Sequence, residues 1–144
     1  MNSIRATFPK NERLSRKYLM EILFHKGLSF VAYPLRIIYY PIENVQSIVK
    51  PSPTGTPNAP VSVLISVPKK KIKHAVGRNY IKRLIRESYR LRKHELAPLF
   101  AEKDNRLLLA FIYLNEEKSS FEKIDHAMAK AILELECRVK SLVS

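Results

Sequence analysis

Arg78, Lys82, Arg86 and Arg90 recur every four residues through the stretch AVGRNYIKRLIRESYR (75–90), with Asn79 and Arg83 beside them. A guanidinium offers a fork of N–H donors that matches two phosphate oxygens, and an ammonium adds a compact point charge. An asparagine in the same row can reach a ribose hydroxyl or a base edge. The chemistry these types suggest is recognition of a phosphate polymer rather than bond-making.

The spacing is helical. At roughly 100° per residue from Arg78, the residues Lys82, Arg86, Asn79, Arg90 and Arg83 fall between about 0 and 140°. Tyr80, Leu91, Leu84, Gly77, Ser88, Ile81 and Ile85 fill about 200 to 340°, and Tyr89 alone intrudes on the cationic arc. A plain solvated helix usually alternates its charges, because opposite signs four apart stabilise it and like signs cost a similar amount. Here four cations follow one another along the row with no anion between them, so an external polyanion is expected. A membrane surface fits less well, since the apolar arc that would enter lipid is needed for the core. A DNA-binding regulator fits poorly too, because no helix-turn-helix pair precedes the basic helix. RNA remains.

No set of residues reads as a catalyst. His25, His74, His94 and His126 are scattered, without H-x-H or H-E-x-x-H spacing, and no carboxylates gather as a two-metal phosphodiesterase requires. Glu116 and Glu117 are a solvated pair, and Gly27, Gly55 and Gly77 are too dispersed to cradle a nucleotide. His74, next to the basic helix, reads as a phosphate neighbour. No catalytic residue, metal or cofactor is therefore expected of this chain alone.

Composition agrees. The 144 residues suit one domain, 1–144, with 46% hydrophobic content for a core. With 26 basic against 13 acidic side chains the net charge is +13, and the segment 69–93 holds eleven Lys or Arg and a single acid, Glu87. Such an excess repels itself in the compact state and favours an anionic partner. Cys137 is the lone cysteine, so no intrachain disulfide forms, and it reads as a small core-facing residue near a helix end. Neither a signal peptide nor an apolar run of about 20 residues is present, which predicts a soluble, cytoplasmic protein.

The elements that must position the cations are legible in outline. Residues 1–13 read as a basic irregular arm. Ser15 can cap a helix running to about Lys26, with Leu19, Ile22 and Leu23 inward, Met20 and Phe24 on a second apolar strip, and Gly27 at a left-handed exit. Ser29 to Tyr40 reads as strand interrupted by Pro34. The segment 50–60 (KPSPTGTPNAP) is a Pro-rich hairpin excursion. Val61 to Val67 and Arg106 to Leu114 read as buried strands, and a basic loop, 68–73, leads from the first of these into the cationic helix. Pro98 helps close that helix. Ser119-x-x-Glu122 is a capping box before a last helix whose stripe is Phe121, Ile124, Met128, Ala131, Leu135 and Val139. The class is α+β, an α-β-β-α-β-α sandwich with helices against a small mixed sheet.

The stretch AVGRNYIKRLIRESYR resembles the signature helix of the bacterial ribonuclease P protein component, roughly A-V-x-R-N-x-x-K-R-x-x-R-E. The resemblance covers SVPKK (66–70), Arg13-Leu14, Phe24 and Gly27, and the order of elements along nearly the whole chain. It implies a protein subunit of an endoribonuclease in which a large RNA, with Mg²⁺, removes the 5′ leader from precursor tRNA; a structural RNA-binding protein of ribosomal type is the alternative. It also implies a left-handed β-α-β crossover, which patterning alone does not reveal. Carried over, Arg78, Asn79, Lys82, Arg83 and Arg86 contact the RNA subunit, with Arg90, Lys69, Lys70 and Arg13 as further phosphate ligands. A cleft between the first helix and the sheet takes the leader. Phe24 matches its aromatic position, Met20 stands where a second aromatic is usual, and Tyr39, with Tyr33 behind it, is the candidate on the neighbouring strand. These rings could equally fill the core, and a shift of one residue in register would exchange their faces. Tyr80 replaces the usual third arginine of the signature, and Lys73 stands where many relatives have glycine.

Overall fold

The computed structural model describes residues 17–42, 61–96 and 106–143. The arm 1–13 with Arg13, the cap at Ser15, the excursion 50–60 and Pro98 lie outside the described residues.

The chain runs α1 (Lys17–Lys26), β1 (Leu28–Ala32), β2 (Leu35–Ile42), β3 (Val61–Ser66), α2 (Ala75–Arg92), a 3-10 turn (Lys93–Glu95), β4 (Arg106–Tyr113) and α3 (Phe121–Val143). The four strands form one sheet in the order β1-β2-β4-β3. β2 is antiparallel to β1 and β4, whereas β3 and β4, joined through α2, are parallel. The stretch expected as one interrupted strand is thus two. Pro34 cannot donate to a ladder, and Tyr33 and Pro34, joined by a cis peptide bond, form the two-residue turn between the paired Ala32 and Leu35.

Both faces of the sheet are covered, which explains why Leu107, Leu108, Leu109, Ala110 and Phe111 are apolar without alternation. On one face Leu35, Ile37, Tyr39, Val61, Val63, Leu107, Leu109 and Phe111 meet Ile81, Ile85 and Tyr89 of α2 and Ile124, Met128, Ala131, Leu135 and Val139 of α3. On the other face a smaller cluster joins Leu19 and Leu23 of α1 to Ile38, Ile42, Leu108 and Ala110. The strand pleat therefore sends neighbours of β2 to opposite sides of the molecule.

Three local expectations shift. Gly27 is needed for space rather than for a left-handed exit. A Cβ there would sit 2.8 Å from Ile38 Cγ2 and 3.2 Å from the Tyr39 carbonyl oxygen, because the chain turns tightly from α1 onto the sheet. The cap of α3 is Ser120, whose Oγ accepts the Lys123 N–H at 3.2 Å, since the Ser119 hydroxyl is already engaged with Tyr113 at 2.8 Å. Cys137 is exposed, not core-facing, because the inward stripe passes through Leu135 and Val139 on either side of it.

Candidate RNA interface

The buried arc of α2 is rotated relative to the wheel drawn from sequence. Gly77, Ile81, Ile85, Ser88 and Tyr89 are buried, while Tyr80 and Leu91 are exposed. Tyr89 belongs to the core because α2 lies across the sheet with that side, its ring tilted against Phe111 at 5.7 Å between centroids. The opposite flank, holding Tyr80, is left to solvent. Packing on α3 fixes the roll of the helix: Asp125 accepts Ser88 Oγ at 2.6 Å and the Arg92 guanidinium at 2.8 and 3.1 Å. Arg92 foremost, then Ser88, hold the Asp125 carboxyl below its ordinary range against the opposing effect of burial.

The six cationic-face residues of α2 are not equivalent. Arg78 turns back on its own chain, its Nη1 donating to the carbonyls of Ile72 at 3.1 Å and Lys73 at 2.6 Å. Together with buried Ile72, and with the Lys71 and Ile72 N–H groups on the Pro68 carbonyl, it anchors the lysine loop to the start of the helix. Arg90 departs from the expected anion-free row, because its guanidinium is paired with Glu87 one turn back; that pair raises the arginine and lowers the carboxyl. Such partly exposed i,i+3 pairs contribute little to stability. Arg86 is half-buried on the flank. Asn79, Lys82 and Arg83, with Lys69 and Lys70 of the loop, make no hydrogen bond or ion pair with another described residue, and all but half-buried Lys82 are exposed. Among the described residues expected to contact RNA, these five keep their donors for a ligand.

The residues expected to line a leader cleft beside α1 are placed differently from expectation. Phe24 is 49% exposed, and half-buried Met20 stands on the same helix one turn earlier. Tyr39 does not face them. It is 2% exposed on the opposite face, edge-on to Phe30 at 6.0 Å, with its hydroxyl accepting from Arg138 Nη1 at 3.3 Å. Tyr33 sits in the β1–β2 turn and lines a groove with Phe30, Leu133 and Arg138 on the α3 side, so it is not in the α1 cleft either. The residue missed is Tyr40, half-buried against the α1 cluster with Leu64 and Ile112. Its signal was the pleat: Ile38 and Ile42, two residues to either side, also face α1.

The ribonuclease P family model matches residues 8–136, which includes the whole of α2. This chain belongs to the ribonuclease P protein family. The ribonuclease P protein component of Porphyromonas gingivalis is 35% identical over 138 residues, spanning 94% of this chain and 93% of that one. That of Chlorobium phaeobacteroides is 34% identical over 137 residues, spanning 90% and 86%. A solved structure of the Staphylococcus aureus RNase P protein superposes with a TM-score of 0.57 at 19% identity, covering 87% of this chain and 94% of that one, which speaks to the fold. Within the family pattern, Tyr80 is the departure with a visible structural consequence: its ring carries the Lys118 ammonium 5.5 Å from the centroid.

Among the described residues no three of His, Cys, Asp or Glu come together as a metal would require, and no helix is long and apolar enough to cross a membrane.

Proposed function

We propose that this chain is the protein subunit of ribonuclease P, binding the catalytic RNA through α2 and its lysine loop and the 5′ leader of precursor tRNA through the α1 cleft. The observation that carries the reading is the outer flank of α2. Asn79, Lys82 and Arg83 stand there without a partner among the described residues, beside Lys69 and Lys70, on a helix whose other flank is locked into the core. Donors held on a rigid rod meet a phosphate backbone with little loss of backbone freedom, which is what pre-organisation contributes to binding. Each neutralised phosphate releases condensed counterions, so the affinity is strongly salt-dependent.

In the cleft, Phe24 offers an aromatic face for an unpaired base, Met20 a polarizable thioether and Tyr40 a second ring from the sheet. In this reading the hydrolytic step and its Mg²⁺ belong to the RNA subunit. The protein's part is to hold substrate and RNA in register, in the cytoplasm where tRNA precursors are made.

The test is reconstitution. Adding the chain to the RNA subunit of its own organism at low Mg²⁺ should raise processing of leader-bearing precursor and leave affinity for mature tRNA nearly unchanged. Equal effects on both would instead indicate generic RNA binding.

A further inference from the structure

We propose that Lys118 and Tyr80 form a nucleotide subsite that carries the RNA-binding surface of α2 onto the turn between β4 and α3, with an unpaired nucleotide of the RNA partner as its ligand. The inference rests on the RNA-binding reading of α2 and adds a second element to it.

Lys118 is presented by a built turn. The Tyr113 hydroxyl donates to the Glu117 carbonyl and pairs with the Ser119 hydroxyl at 2.8 Å, Asn115 Nδ2 donates to the same hydroxyl at 3.4 Å, and the Glu117 N–H donates to Asn115 Oδ1 at 3.2 Å. From that turn the lysine stem crosses the first turn of α2 at Gly77. A Cβ on Gly77 would lie 3.5 Å from Lys118 Cε and 2.8 Å from Ile72 Cγ2, so the bare glycine lets both the stem and the loop residue close on the helix. The stem ends with its ammonium over the Tyr80 ring. Exposed Glu116 and Glu117 lie in the same turn, yet neither carboxylate takes the ammonium. A lysine beside two acids that sits instead on an aromatic ring keeps its charge available to an outside anion.

The ring itself is 44% exposed, one residue after Asn79 and three before Arg83, with Val76, 81% exposed, one turn earlier. An aromatic face flanked by a cation and by amide and guanidinium donors matches the three parts of a nucleotide: a base against the ring, a phosphate on Lys118, and a ribose within reach of Asn79. Where the family pattern has an arginine, the chain has a stacking surface, and the charge returns from a different element.

The subsite is tested with the full chain and the ribonuclease P RNA of its own organism, measuring affinity across a salt series. Lys118→Met, which keeps the stem over Gly77, should lower the salt slope by roughly one. Tyr80→Ala should weaken binding by about tenfold and Tyr80→Phe by no more than about twofold, because the ring and not the hydroxyl is used. Arg83→Ala serves as reference for the underlying reading. If it weakens binding while Lys118→Met and Tyr80→Ala do not, the subsite is overturned and the α2 surface stands. If all three leave affinity and slope unchanged, the α2 surface itself is wrong. Melting curves of each variant separate loss of fold from loss of contact, and an affinity loss that merely tracks unfolding counts against the subsite.

Discussion

Tyr39 and Tyr40 are adjacent, of one type, and separated by the full thickness of the sheet. Tyr39 fills the core between β1 and α3, so Tyr39→Ala should cost about 3–5 kcal/mol of stability, as large aromatic truncations do. Tyr40 packs on the α1 side, where the leader is proposed to bind, so Tyr40→Ala should lower affinity for the leader by about 1–3 kcal/mol if a base stacks there. Leader binding by the RNA–protein complex, measured beside melting of the free protein, decides between the roles. A Tyr40 variant that melts earlier yet binds leader normally would remove Tyr40 from the cleft. The arginines of α2 divide in the same way. Arg78 spends its guanidinium on two backbone carbonyls and Arg90 on Glu87, whereas Arg83 is exposed without a partner among the described residues. Their types and spacing announced a cationic row; which member was already engaged depended on where the loop and Glu87 lay.

At the scale of elements, the placement of α2 depends on a small polar lock to α3. Asp125 is held below its ordinary carboxylate value of 3.8, chiefly by the hydrogen bond from Arg92. A carboxyl whose folded value is depressed contributes stability above its unfolded value, and that contribution is lost as pH falls through the folded value. Stability should therefore decline below about pH 4 partly through this group. Asp125→Asn should remove about 1 kcal/mol at neutral pH, a modest figure because the pair is partly solvated, and flatten the acid limb. Denaturant midpoints from pH 2 to 7 measure it, and parallel curves for the two proteins would show that the lock is not used. This lock also explains the rolled helix. Hydrophobic periodicity placed Tyr89 among the cations and Tyr80 in the core, since a wheel assumes burial toward one direction. α2 is buried by the sheet and by α3 at once, and Tyr89 fills the space against Phe111.

For the whole molecule, a net charge of +13 is carried on a fold whose core lies on both faces of one sheet. Self-repulsion of that size opposes compactness and is relieved by screening. The free protein should therefore melt at higher temperature in about 0.3 M than in about 0.03 M salt, and RNA at about 100 times its Kd should add about 2.7 kcal/mol. Melting that is lower at the higher salt would contradict a surface dominated by like charge. Sequence alone determined the class, the helical course of 75–92, the buried strands and the cationic row along that helix, because each is written in local period and local charge. Tertiary structure alone decided that one expected strand is a hairpin, that Tyr40 and not Tyr39 meets α1, that Ser120 caps α3, and that Lys118 reaches Tyr80. Those outcomes turn on which surfaces meet across the sheet, and contacts between residues far apart in the chain leave no periodic trace along it.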